Sequence, residues 1–240
     1  MKIVCAVPSI TELLYDLGLA QYVVGRTKFC IHPHNQIDEA SVIGGTKNLN
    51  IKKIQELNPS IIIANKEENS KDQIELLKQK YEVLLTEIDN YRDAINTIRL
   101  IGNRLNCAIE ASVLIKRIEQ EFKALSNINT RNHNAIYFIW NNPMMCAGNN
   151  TYINSMLAYA GFNNIIKTDR YPELKESELK MHSPEYVLLS SEPYPFKEKH
   201  IKYFEQLLPN AKVLLVDGEM FSWYGSRMLK APKYFLSLHS

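Results

Sequence analysis

The chain has 240 residues, 45% of them apolar and 22% charged, with a formal net charge of +2. That is ordinary for a globular protein, and the length suits one large α/β domain or two lobes of roughly 100 residues each. The small net charge points to neither nucleic acid nor an anionic membrane, and no apolar run approaches the roughly 20 residues a membrane span needs.

Met1 and Lys2 lead straight into Ile3-Val4-Cys5-Ala6-Val7-Pro8, which reads as a buried strand over residues 2–7. A secretory leader needs a basic head, an apolar stretch and a small-residue cleavage site before the folded part. The expectation is therefore a cytoplasmic chain or one already trimmed. Ser9-Ile10-Thr11-Glu12 has the capping-box form and opens a helix that runs to Leu17 and stops at Gly18. Val23-Val24 is a short strand, residues 52–57 a helix with Pro59 beyond it, and residues 60–64 an unbroken apolar strand. An amphipathic helix over 70–81, a strand over 83–88 and a helix over 91–106 follow. Short apolar strands separated by helices indicate a parallel sheet covered on both faces.

The segment 107–127 contains neither Gly nor Pro, and Ile109, Val113, Ile118, Phe122 and Leu125 recur in it at helical spacing. About 20 residues at 1.5 Å each make a helix of roughly 30 Å. Beyond it the alternation resumes, with strands expected at 135–140, 186–190 and 212–216 and helices at 151–160, 197–208 and 227–238. Cys5, Cys30, Cys107 and Cys146 are scattered without a C-x-x-C pair and read as four reduced, mostly buried thiols.

The halves echo each other. Leu57-Asn58-Pro59-Ser60-Ile61-Ile62-Ile63 has the pattern of His182-Ser183-Pro184-Glu185-Tyr186-Val187-Leu188: helix end, proline, strand. Residues 11–19 likewise match 154–162, a helix that ends at glycine before a short strand. Repeats in the same order on both sides of one long helix favour two similar lobes, at residues 1–102 and 131–240, joined by a helix in 103–130.

Pro8-Ser9-Ile10-Thr11-Glu12-Leu13-Leu14, Val24-Gly25 and Leu57–Ala64, followed by Gly148 with Tyr152-Ile153-Asn154, Ala160-Gly161-Phe162-Asn163-Asn164 and Ser183-Pro184-Glu185-Tyr186-Val187, resemble the iron-siderophore and vitamin B12 periplasmic-binding family. The match is specific as an ensemble. It looks nearest a subgroup carrying Lys28-Phe29-Cys30-Ile31-His32-Pro33 and Phe221-Ser222-Trp223-Tyr224-Gly225-Ser226-Arg227. The resemblance implies an α/β fold of two Rossmann-like lobes with mostly parallel sheets, bridged by one long α-helix. It also implies a corrinoid, haem or ferric siderophore held in the groove between them, an ABC importer as partner, a monomer, and the periplasm as compartment.

In open α/β sheets ligands sit at the carboxyl ends of strands. Those ends select Lys66 and Glu67, with Glu68 beside them, after the strand at 60–64. They select Trp140 after 135–140, Glu192 and Tyr194 after 186–190, and Trp223 and Tyr224 beyond 212–216. Lys28, Phe29 and Cys30 follow Gly25, and Arg170 and Tyr171 occupy a loop; by resemblance these positions line the family groove. Trp140, Trp223, Tyr194 and Phe29 offer flat apolar faces, and Arg170 can clamp a carboxylate with two bonds.

Cys30-Ile31-His32-Pro33-His34 carries donors for zinc, copper or an axial position on haem or cobalt. In an extended strand they would spread over about 13 Å, too far for one ion, so a groove wall at Cys30 is expected and no metal site. Relatives by resemblance dock on their transporter through one glutamate on each lobe, where this chain has Lys52 and Ser177. Lysine facing transporter arginines repels, which weighs against importer docking through these positions. No G-x-S-x-G, H-E-x-x-H, P-loop or G-x-G-x-x-G element is present, and Gly44-Gly45-Thr46-Lys47 reads as a plain turn. The expectation is a receptor without catalysis or cofactor. The competing readings are an enzyme such as a metal chelatase, using Glu67, Glu68 and Glu192 as acid–base groups, or a cytoplasmic sensor with the same groove.

Overall fold

A computed structural model describes residues 1–127 and 132–239; the boundary expected at 130 and 131 lies outside them. The chain forms two compact units. The first comprises Met1–Ile88, Asp93–Lys116 and Tyr224–Arg227, the second Asp89–Arg92, Arg117–Trp223 and Met228–Ser240.

The first unit alternates β1 (Ile3–Cys5), α1 (Pro8–Asp16), β2 (Val23–Arg26), β3 (Ser41–Val42), α2 (Ile51–Leu57), β4 (Ile61–Asn65), α3 (Lys71–Lys78) and β5 (Val83–Thr86). Most of α4 (Tyr91–Arg104) and the start of α5 (Ala108–Lys123) belong to it as well. The strands lie in the order β3-β2-β1-β4-β5 and every pair is parallel. Ile61, Ile62, Ile63 and Ala64 are all buried because β4 is covered on both faces, which accounts for a strand without polar alternation. Val4, Ile54, Ile62, Ile74 and Leu77 form the core on one face.

The second unit contains β6 (His133–Trp140), β7 (Met145–Cys146), α6 (Tyr152–Tyr159), β8 (Phe162–Asn164), α7 (Glu176–His182), β9 (Tyr186–Ser190), α8 (Glu198–Leu207), β10 (Lys212–Val216), α9 (Gly218–Ser222) and α10 (Ala231–Ser237). Here β6 pairs in parallel with β8 and β9, β10 pairs in parallel with β9, and β7 runs antiparallel to β6. The order β8-β6-β9-β10 repeats β2-β1-β4-β5 of the first unit. The sequence echo has a backbone basis: α2 and α7 both end on a left-handed residue, Asn58 at φ 48° and Ser183 at φ 45°, before proline and strand. Gly18 and Gly161, at φ 76° and 80°, stop α1 and α6 alike.

Several expectations are corrected. Ser9 does not cap α1: Val7 is the N-cap without a side-chain bond, Pro8 takes the first turn, and Glu12 is buried against Arg227. Arg227 lies in a 3-10 turn, Ser226–Leu229, ahead of α10, which starts only at Ala231. The 107–127 stretch is helical, as α5 followed by a 3-10 turn at Ala124–Asn127. Its packed stripe is Ala111, Leu114, Ile115, Ile118 and Phe122, whereas Ile109 and Val113 are 78% and 54% exposed. Ile118, Phe122 and Leu125 are buried as expected, and only the start of the stripe differs, because a helix can bury only one face. All four cysteines are free and buried, and Gly45 and Asn48 exchange backbone bonds in the expected turn. Among the described residues no helix is long and apolar enough to cross a membrane.

Candidate functional site

The carboxyl edge of the first sheet is organised by asparagine. Asn65, the last residue of β4, accepts the amides of Glu67 and Glu68 on Oδ1 at 2.8 and 3.2 Å, while its own N–H donates to Asn69 Oδ1 at 2.8 Å. Asn69 Nδ2 donates to the carbonyls of Ala6 and Thr46 at 3.0 Å each. The loop 65–69 is thereby pinned to two neighbouring segments. Lys66 projects from it and pairs with Glu87; Lys47 donates to the Glu67 carbonyl. Lys66 also lines a hollow of about 410 Å³ with Lys71, Glu75 and Lys78.

Lys28, Phe29 and Cys30 sit in a turn beyond β2. Buried Arg26 fixes it, donating to the carbonyls of Thr27, Cys30 and Ile37 and pairing with Asp38 at 2.8 Å. Phe29 is 50% exposed with the Lys28 ammonium 5.0 Å from its ring centroid, a cation–π contact. Cys30 is not a wall. Its thiol is fully buried, 3.2 Å from the hydroxyls of both Thr11 and Thr27, and burial pushes its pKa up. Tyr224 is buried too, its hydroxyl donating to Glu68 Oε1 at 2.7 Å. Burial and the adjacent carboxylate raise the pKa of this phenol well above its ordinary value.

In the second unit β6 ends at Trp140, which is 39% exposed, with its indole N–H donating to the Asn142 carbonyl at 3.0 Å. Tyr194 lies edge-on to it at 5.5 Å and shares a 3.1 Å hydrogen bond with His200 Nε2. His200 Nδ1 accepts the Lys197 amide at 2.8 Å, closing the start of α8. Tyr194 and His200 line an open groove of about 840 Å³ with Asn141, Met144 and Tyr203. Glu192 takes Ser222 Oγ at 2.6 Å and Trp223 Nε1 at 2.8 Å on one carboxylate oxygen. Its pKa is raised, first by burial, with Glu219 and Asp217 adding to the effect. Gly218 permits this packing, since a Cβ there would lie 2.5 Å from Glu192 Cγ.

Arg170, at φ 64°, pairs with Asp89 at 2.7 Å and donates to the Asn150 carbonyl at 2.8 Å, so its guanidinium is held but half exposed. Tyr171 beside it is half-buried. The predicted residues thus gather in groups within each unit: Lys28 with Phe29, Glu68 with Tyr224, Trp140 with Tyr194, and Glu192 with Trp223. Arg170 and Lys66 each take an acidic partner. Sequence reasoning placed Asn65 at the strand end but missed Asn69, whose spacing from it is a turn signal, and also Ser222, Asp89 and His200.

A family model described as periplasmic binding protein matches residues 3–208. A relative in Bacillus subtilis (strain 168), the uncharacterized ABC transporter substrate-binding lipoprotein YvrC, is 28% identical over 166 residues, 65% of this chain and 52% of YvrC. The chain therefore spans about half the length of that curated relative. Among solved structures, the periplasmic heme-binding protein RhuT of Roseiflexus superposes with a TM-score of 0.85 at 18% identity, covering 100% of this chain and 99% of RhuT. The periplasmic vitamin B12 binding protein BtuF of Vibrio cholerae gives 0.82 at 16% identity, covering 98% and 95%. A periplasmic heme binding protein of Pseudomonas aeruginosa gives 0.86 at 16% identity, covering 99% and 91%. At these identities the superpositions establish a shared fold. With the family model spanning most of its length, the chain belongs to the periplasmic binding protein family.

Proposed function

We propose that this chain is the solute-binding component of an ABC importer, carrying a corrinoid, a tetrapyrrole or a ferric siderophore without catalysing a reaction on it. The observation that carries this reading is the family match over residues 3–208. The names of the similar proteins, which bind haem or vitamin B12, supply the ligand class. The chemistry of each sheet's carboxyl edge supports it. Phe29 in the first unit and Trp140 in the second each expose a flat apolar face of the kind on which a macrocycle stacks. Lys28, Lys66 and Arg170 offer donors to carboxylate or catecholate edges. The metal chelate is cargo, one per chain, and the protein uses no cofactor of its own.

The compartment is extracytoplasmic, as the family description and the lipoprotein relative suggest. Contact with an importer proceeds without the glutamate pair expected by resemblance. Lys52 is exposed on α2, Ser177 is exposed on α7, and the flanking Glu176 and Glu178 are engaged with Tyr203 and the Lys175 amide. Native mass spectrometry of protein purified from its own host tests the reading. A co-purified metal chelate of defined mass supports it; an apo mass throughout, with no gain on adding haemin, cobinamide or ferric siderophores, refutes it.

A further inference from the structure

His200 is the third residue of α8, a position from which a glutamate or glutamine ordinarily reaches back to the amide ahead of the helix. Here an imidazole does so. Nδ1 accepts the Lys197 amide at 2.8 Å, which fixes the neutral tautomer: the ring proton sits on Nε2 and is donated to the Tyr194 hydroxyl oxygen at 3.1 Å. Lys197, the N-cap, adds no side-chain bond of its own. Tyr194 in turn lies edge-on to Trp140 at 5.5 Å and to Phe196 at 4.8 Å, and Phe196 packs 5.3 Å from the His200 ring. One buried imidazole thus ties the start of α8 to the aromatic wall of the groove.

A second ring proton does not fit this arrangement. Added at Nδ1, it meets the Lys197 N–H, and two donors then face each other at hydrogen-bond distance. The oxygen beside it is the Lys197 carbonyl at 3.2 Å, which already takes the His200 amide at 2.8 Å. The nearest charges on the helix and its cap are the Lys197 and Lys199 ammonium groups. Across the groove stand Glu173, Lys175, Glu176 and Glu178, of which Glu176 accepts the Tyr203 hydroxyl and Glu178 the Lys175 amide. Burial first, then Lys199, holds the imidazole pKa below its ordinary value of about 6.5, with the Lys197 carbonyl opposing them in part.

We propose that His200 is an acid-operated latch: protonation of its ring undoes the closure of α8 and releases Tyr194 from the groove wall. The fold binds this proton less tightly than the unfolded chain does. The stabilisation is therefore complete above about pH 6.5 and is lost as pH falls through the lower value of the folded state. The wall at Tyr194 and Trp140 is thus firm in neutral solution and loose in acid. As control of cargo the latch rests on the solute-binding reading; as a property of the second unit it does not.

Titration of ligand-free protein from about pH 8 to about pH 4.5 tests the latch, read by the ring-nitrogen NMR shifts of His200, amide exchange at Lys197 and Trp140 emission. The expected result at neutral pH is the Nε2–H tautomer. At the midpoint of the ring itself, protection of the Lys197 amide falls about fivefold or more and Trp140 emission shifts. His200→Gln keeps an oxygen acceptor for the Lys197 amide at every pH, and in it both changes vanish. His182→Gln, at an exposed position on α7, behaves as the parent does. Should His200→Gln fold poorly, the tautomer and the Lys197 amide of the parent decide. An Nδ1–H tautomer at neutral pH, Lys197 protection and Trp140 emission that hold while His200 titrates, or the same transition in His200→Gln overturns the proposal. Since no ligand is added, failure to bind cargo leaves each of these outcomes as it stands.

Discussion

Glu12 and Arg227, 215 residues apart in the chain, meet in a buried two-point ion pair, with Nε–Oε2 at 2.9 Å and Nη2–Oε1 at 2.8 Å. The segment Tyr224–Arg227 is thereby anchored in the first unit, where Gly225, at φ 90°, would place a Cβ 3.2 Å from Leu13 Cβ. Breaking one side of such a pair leaves a buried charge, whereas replacing both with apolar groups removes the desolvation cost together with the attraction. Arg227→Ala is expected to cost about 3–5 kcal/mol in urea unfolding, and Glu12→Leu with Arg227→Met markedly less. A loss below about 1 kcal/mol in Arg227→Ala would show the pair to be dispensable.

Glu192 makes a pH prediction of opposite sign to the usual carboxylate. Burial raises its pKa in the fold above the ordinary carboxylate value of about 4.5, so the folded state binds the proton more tightly than the unfolded chain does. Ionising it therefore lowers stability as pH rises from about 4.5 through the folded value, and the penalty is complete above that value. Glu192→Gln retains an oxygen acceptor for Ser222 and Trp223 without the charge. It is expected to be more resistant to urea than the parent at pH 8, with the difference shrinking towards pH 4. Lower resistance at pH 8 would mean that the charge itself is stabilising.

The two tryptophans differ in access. Trp140 is 39% exposed and Trp223 is buried with its N–H on Glu192. Iodide is expected to quench the Trp140 contribution and spare that of Trp223. Trp140→Phe should leave blue-shifted, iodide-resistant emission, and equal quenching of the two indoles would contradict the described burial.

Gly148 is a backbone requirement in the second unit. A Cβ there would lie 1.9 Å from the Thr168 carbonyl oxygen, across a contact in which the Gly148 amide donates to the Arg170 carbonyl at 2.8 Å. Gly148→Ala must push two backbone segments apart and is expected to cost about 3 kcal/mol or more, measurable by thermal unfolding. It should also displace Arg170 from Asp89. A variant as stable as the parent would contradict this packing.

What could be read in the sequence is what is encoded locally. Asn58-Pro59 and Ser183-Pro184 announce a left-handed helix stop followed by an extended residue, and the apolar runs behind them can only be doubly covered strands. The exposed aromatic Trp140 follows from its place at the end of β6. Other features depend on partners far along the chain. Arg227 looks like the head of a helix until Glu12 is placed against it. Cys30 looks like a wall until Thr11 and Thr27 enclose it. Ile109 and Val113 fit a helical period as well as the stripe that is buried, and period alone does not choose between neighbouring stripes. α7 buries only Leu179, too little for a periodic signal.

The central claim is that this protein binds a planar or chelated metal complex reversibly, without turning it over. Tryptophan fluorescence titration with haemin, cobinamide, cobalamin and ferric siderophores addresses it most directly, with Trp140→Phe alongside. The account predicts saturable quenching at one ligand per chain by at least one of the four, weakened about tenfold in Trp140→Phe, a loss of about 1.4 kcal/mol. Absence of saturation with all four by the folded protein would contradict it.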